Sequence, residues 1–452
     1  MTDRLICGRV VPPDGPPAPG WIAVEGGRIA AVGTGARPRA AEVDDHGDAL
    51  VLPGVVDGQT HATSARGLPG IAETTRGAIA GGVTTLVDMP YNNPLPLDRP
   101  DRFDAKAAAI ARHAHADMAL YATVTAETGT EHVSALVERG AVAFKISSFE
   151  SSTTRFPRID AALTLDLLEA LASTGVPVGL HNEDQEIVRA RIARARAAGL
   201  DGIEAHARSR PEAAELAATA AFHATGLASG AHTHAVHLTT GAGFALTAAM
   251  GGLARATGEL CVHYLWFDAA RDGAALGARM KVNPPIRAGA IHGLWQAVER
   301  GEVALVSSDH SSWPLDNKLA GSIFDAGAGV PGVETLLPAF FTAAMERGLD
   351  AATLSARMLS ERPARFFGID HRKGRLAPGL DADIAVLEEG RFPWDEARAH
   401  DGLRWSPYHG RTFAARVRAT YLRGAPAWDG AAILNAPGSG GLVARGTRGW
   451  YA

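Results

Sequence analysis

Residues 51–61 read VLPGVVDGQTH, an apolar run that ends in Asp57, Gln59 and His61 at alternating positions. Period-two spacing puts those three side chains on one side of a strand. The same texture recurs downstream as VTTLVDM at 83–89, VAFKIS at 142–147, VPVGLH at 176–181, HAVHLTT at 234–240 and VALVSSDH at 303–310. Between these runs lie AAAIARHAHADMA, AALTLDLLEALAST and PEAAELAATAAFHATG, each with apolar residues at helical spacing. Strand, helix and strand repeated this often predict parallel βα units. About 300 residues of the pattern predict a (β/α)8 TIM barrel rather than an open sheet.

Outside this region the texture changes. Before residue 54 come LICGRVV, PPDGPPAPG and WIAVEGGRIAAVG, read as strand, loop and hairpin, with Gly26 and Gly27 supplying the positive φ of a tight turn. Short β segments return at LDADIAVLEEG and RVRATYLRGAPAW. The expected organisation is a small β-sandwich composed from both chain ends, residues 1–53 and 369–435, flanking a barrel at 54–368. A Gly-rich tail, 436–452, is expected to lie on its own domain or on a neighbouring subunit. In the 452 residues, 44 Lys and Arg nearly balance 49 Asp and Glu, and no basic run offers nucleic acid an electrostatic footprint. Cys7 and Cys261 are the only cysteines, which excludes a disulfide framework and a thiolate zinc cage. No window of about 18 residues is free of polar groups, so no membrane partner is expected and the chain reads as a soluble cytoplasmic protein.

In a barrel, reactive groups sit where strands end at the C-terminal face. Several of the apolar runs carry a metal-binding residue type near that end: His61, Lys145, His181, His237 and Asp309. A lone histidine is ordinarily a satisfied core or surface residue, and a lysine in an apolar strand ordinarily snorkels to the surface. Here a neutral Lys145 amine would instead capture carbon dioxide and become a carbamate able to bridge two cations. Imidazole and oxygen ligands of this mixture suit Zn²⁺ or Mn²⁺ better than Ca²⁺. His113 and His115 are assigned to a solvated helix face. His232 and His234, by period-two counting, are assigned to the helix or loop side of their strand.

The motifs VLPGVVDGQTH, ETTRGAIAGGVTTLVDMP, AFKIS, GLHNED, SRPEAAE, ELCVHYL, PPIR, SSDHS and KGRLAPGLDADIAVL resemble those of the cyclic amidohydrolases, the allantoinase, hydantoinase and dihydropyrimidinase branch of the amidohydrolase superfamily. The resemblance covers nearly the whole chain. It implies a metal-dependent hydrolase opening a C–N bond of a cyclic amide, with one or two divalent ions, zinc first and Mn or Co next, bridged by carbamylated Lys145. His181 and His237 would hold the more exposed ion; the first-strand motif and Asp309 would hold the buried one. The chain departs from the pattern at Gln59, which stands where the first histidine of H-x-H belongs and should leave the buried site weaker, selective for a harder metal, or empty. Asp309 would carry the proton from the attacking water to the leaving nitrogen.

Substrate features are sparse. The arginine that dihydroorotases carry two residues after the second motif histidine is Thr63 here, which argues against dihydroorotate. The tyrosine five residues after the bridging lysine in dihydropyrimidinases and hydantoinases is Glu150, and the serine before PPIR is Asn283. Asn283, Glu150 and Arg66 are the expected substrate-binding residues, Arg66 for an anionic or ureido group, although a surface-loop arginine is its plainer reading. Lacking that tyrosine, the pattern leans towards an allantoinase-like enzyme or an unassigned relative, acting on a ureide, hydantoin or related ring as a homodimer or homotetramer. Two rivals are a non-catalytic dihydropyrimidinase-like scaffold, favoured by Gln59, and a ring-closing enzyme using the reverse reaction.

Overall fold

The computed structural model describes residues 2–12, 15–446 and 449–451. Six strands follow one another in the order of the sequence, Val55–His61, Val83–Asp88, Asp117–Ala122, Ala143–Ser147, Val178–His181 and Thr233–Ala235, each parallel to the last. A seventh, broken strand runs through Ala256–Gly258 and Leu260–Cys261, and an eighth through Val306–Ser307 and His310–Ser311. Leu260–Cys261 pairs with Val306–Ser307, and His310–Ser311 pairs with Thr60–His61, so the ring closes. These are the eight strands of a (β/α)8 barrel. Residues such as VTTLVD are buried throughout because strands sandwiched between an inner core and a helix layer have no solvent face.

Some helices start at a short polar side chain that caps them: Asp160 accepts from the Leu163 amide, Asp184 from Ile187 and Thr240 from Gly243. The helix Gly70–Ala80 ends at the two adjacent glycines, where Gly82 (φ 78°) turns the chain into the next strand. One apolar cluster fills the space between strands and helices. A second, built from Val56, Val87, Ala119, Tyr121, Leu305, Phe366 and Phe367, plugs the lower barrel interior, so this barrel is a packed core.

Both chain ends join one seven-stranded sheet in the order Ala425–Trp428, Thr412–Leu422, Ile384–Pro393, Ala40–Pro53, Thr2–Val10, Ala18–Glu25, Arg28–Gly33. Its hairpin turns on Gly26 and Gly27, at φ 56° and 78°. Lys373, buried, ties sheet to barrel: its ammonium lies 2.6 Å from Asp117, 2.9 Å from Asp381 and 2.6 Å from Asp383. The described part of the 436–452 tail lies on this chain's own barrel floor. Val443 donates its amide to Met118, and the Tyr451 hydroxyl donates to the Ala256 carbonyl (3.1 Å). No helix among the described residues is long and apolar enough to cross a membrane.

Two sequence expectations about histidines need correction. The helix expected to carry both His113 and His115 on a wet face ends at His113; His115 lies beyond it, buried, with Nδ1 3.1 Å from the Asn435 carbonyl, just before the tail. His232 and His234 do not face helices. Thr233 does, bonding His223 at 2.8 Å, while His234 turns inward to Glu259 (3.3 Å) and both His232 and His234 pack on Phe366. Counting by twos fails because His237 has φ 45°, which breaks the alternation at the strand end.

Candidate metal centre

A cavity of about 380 Å³ opens at the C-terminal mouth, and Gln59, His61, Lys145, His181, His237 and Asp309 all line it. They come from the first, fourth, fifth, sixth and eighth barrel strands or the turns just after them. His237 and Asp309 both adopt left-handed backbone, φ 45° and 48°, a strained geometry for residues with a side chain. Such strain is tolerated where a rigid frame aims a functional group.

Two donor pairs stand out. His181 Nδ1 is 3.0 Å from His237 Nε2, and His61 Nε2 is 3.4 Å from Asp309 Oδ1. Ligands at about 2.0–2.1 Å from one tetrahedral ion sit roughly 3.3 Å apart, so each pair fits a shared cation. The buried His237 Nδ1 and Gln59 Oε1 have no hydrogen-bond partner among the described residues. His181 is oriented from behind: its Nε2 lies 2.9 Å from the Glu183 carboxylate, which also pairs with Arg210. A carboxylate there requires a proton on Nε2 and leaves the Nδ1 lone pair facing the cavity, the usual support for a metal-ligating imidazole.

Burial sets the protonation of these groups. It holds His181 below the usual imidazole range against the opposing pull of Glu183, and His237 well below it, so both present lone pairs near neutrality. Desolvation also brings Lys145 down from 10.5 to about 8, despite the nearby charges of Glu259 and Asp309. Roughly one amine in ten is then free base at pH 7, the form that can attack carbon dioxide. Burial alone would raise the Asp309 carboxyl, but the hydrogen bond and charge of His61 and the charges of His263 and Lys145 hold it below the carboxylate range. Gln59 donates Nε2–H to Asp309 Oδ1 at 3.0 Å.

The expected substrate residues divide. Asn283 lines the cavity with its buried Oδ1 unpartnered. Glu150 also lines it, but its carboxylate already accepts from Arg189 at 3.2 Å. Arg66, expected to bind an anionic or ureido group, is not in the cavity wall; it is half-exposed and ion-paired with Glu73. Thr63 turns its hydroxyl away, into a buried knot with Asn92 and Lys106.

Several wall residues escaped the sequence reading. Tyr91 follows the second strand, stacks on Phe156 (3.6 Å) and keeps a buried hydroxyl without a partner among the described residues. Arg155 sits in an unpatterned loop after the fourth strand; behind the wall, Glu259, fully buried and with its carboxyl pushed up to about 8 by burial, lies in the motif ELCVHYL. Only the last was within reach, as a carboxylate inside an apolar strand. A separate trio, Asp117, Asp381 and Asp383, has the spacing of a cation site, but the ammonium of Lys373 fills it.

Imidazoles, a depressed lysine and an aspartate around one barrel mouth define the frame of a metal-dependent hydrolase. The sequence profile of the amidohydrolase family matches residues 50–425, and the chain belongs to that family, whose members depend on divalent metal ions. An allantoinase of Rubrobacter xylanophilus is 35% identical over 427 residues, 92% of each chain. A dihydroorotase of Halobacterium salinarum is 34% identical, covering 90% of this chain and 93% of its own. An L-hydantoinase (dihydropyrimidinase) from Arthrobacter aurescens superposes with a TM-score of 0.93 at 27% identity, over 98% of this chain and 100% of that one.

Proposed function

We propose that the protein hydrolyses the C–N bond of a cyclic amide in a ureide, hydantoin or related ring. The observation that carries this reading is the meeting of His61, Lys145, His181, His237 and Asp309, scattered over the sequence, on one cavity wall. A divalent ion, zinc before Mn or Co, would be held by His181, His237 and carbamylated Lys145, with His61, Asp309 and the Gln59 carbonyl as a weaker second set. When bound it supplies Lewis acidity towards water and the ring carbonyl.

The chain's own residues do the rest. Asp309, kept ionised by its surroundings, accepts the proton of the attacking water and returns it to the leaving nitrogen. Gln59 and His61 fix the carboxylate for that transfer. Tyr91 and Phe156 form an aromatic wall that excludes water and seats a flat ring. Asn283 offers its side-chain amide to the ring edge. The test is a hydrolysis screen over allantoin, hydantoins, dihydropyrimidines and cyclic imides with Zn²⁺, Mn²⁺ and Co²⁺, assayed in both directions. Turnover of a cyclic amide that is lost in Lys145→Ala supports the reading; a protein that binds no divalent ion supports the scaffold alternative raised by Gln59. A cytoplasmic homodimer or homotetramer completes the proposal, with light scattering as its check.

A further inference from the structure

The carboxylates on or beside the cavity wall are already paired. Glu150 meets Arg189 (3.2 Å), Asp325 meets Arg196 (2.6 Å), Asp309 meets Gln59 and His61, and Glu183 neutralises Arg210. Apart from Lys145, already assigned to the metal set, two wall cations have no carboxylate within ion-pair distance among the described residues. Lys281 spends its ammonium on the carbonyls of Ile323 (2.6 Å) and Ala326. Arg155 is different. Its guanidinium makes one hydrogen bond, from Nη1 to the Ser64 carbonyl (3.1 Å), and lies over the Trp313 ring at 5.1 Å. Among the described residues Nε and Nη2 have no protein acceptor, although the residue is only partly exposed.

A guanidinium withdrawn from water without a counter-ion is costly unless a ligand supplies the charge. Here the guanidinium is also positioned. The Trp313 face holds its plane, and Ser64 links it to the metal centre, since the Ser64 hydroxyl bonds His61 Nδ1 at 3.0 Å. The fork thus stands beside the candidate metal ligands with donors to spare, the geometry that binds a carboxylate through two N–H groups. Neither other candidate can serve: Arg66 is bound to Glu73 outside the wall, and Thr63 is tied into the Asn92 and Lys106 knot.

We propose that the ring opened at this site carries a carboxylate substituent, received by Arg155. This inference rests on the cyclic-amide reading above and narrows its substrate class to acidic rings.

The probes are hydantoin-5-acetate and its primary amide, which differ in charge but hardly in shape, added to the zinc-loaded, bicarbonate-treated enzyme. Calorimetry should find the acid bound about 10- to 100-fold more tightly, the range expected for a charge-assisted pair. In Arg155→Gln the ratio of the two dissociation constants should fall to within about threefold of one, and Arg155→Lys should keep part of it. Equal binding of acid and amide by the unmodified enzyme overturns the proposal, as does a preference that survives Arg155→Gln. The carboxylate that ring opening itself creates is separated by titrating the ring-opened product of the amide. If Arg155→Gln weakens that product as much as it weakens the acid ring, Arg155 holds the reaction's own carboxylate and the substituent assignment fails. Ring opening is followed in the same samples: an acid preference without opening in either direction refutes the reaction and keeps the anion site, whereas opening without an acid preference does the reverse.

Discussion

Lys145→Met should stabilise the metal-free protein while abolishing its function. In the unfolded chain the amine titrates near 10.5; in the folded site burial lowers it to about 8, a difference worth roughly 3 kcal/mol. Because the folded value is the lower one, the penalty is fully present below pH 8 and is relieved as pH rises from 8 to 10.5. Methionine has nearly the same shape and no charge, so in EDTA without bicarbonate the variant should be more stable at pH 7 by up to about 3 kcal/mol. For a chain of 452 residues that is a rise of about 3 °C in melting midpoint. The advantage should shrink steadily between pH 8 and 10. Zinc and bicarbonate should reverse the order, since the native protein gains about 4 kcal/mol at a thousandfold excess over its dissociation constant and the variant lacks the bridging ligand. Scanning calorimetry with metal analysis on the same samples reads both effects. Identical pH profiles for the two proteins in EDTA, or undiminished metal binding by Lys145→Met, would refute the argument.

Asp309→Asn should leave one metal ion bound but lower kcat by about 10²- to 10⁴-fold, as expected when the proton carrier is lost, and steady-state kinetics with metal analysis checks it. Gln59→His should restore the second imidazole of the first-strand motif and raise the metal content towards two ions per chain; an unchanged content and activity would mean that Gln59 does not face the metals. Breaking the buried clamp with Lys373→Met leaves Asp117, Asp381 and Asp383 facing one another and should cost about 3–5 kcal/mol by denaturant titration. A loss below about 1 kcal/mol would show that Arg423, 2.6 Å from Asp117, already suffices.

Barrel strands were readable because burial on both faces demands uninterrupted apolar runs, and VTTLVDM and VAFKIS obey that demand. Lys145 and Asp309 stood out for the same reason, as charges where apolar residues are expected. The pleat of His232 and His234 is not legible in the sequence because the left-handed turn at His237 leaves no mark in a residue whose type does not favour it. Arg155 and Tyr91 lie in loops without period, and only the folded cavity shows that one lacks a counter-ion and the other a hydrogen-bond partner. Arg66 stands close in sequence to His61, but the helix that follows supplies Glu73 and draws it to the surface.

Anomalous diffraction at the zinc edge, on crystals grown with zinc and bicarbonate, tests the central claim most directly. A peak within bonding distance of His181 Nδ1 and His237 Nε2, with density for a carboxylate on the Lys145 amine, is the predicted result. Zinc found between Asp117, Asp381 and Asp383 with the barrel mouth empty would contradict it.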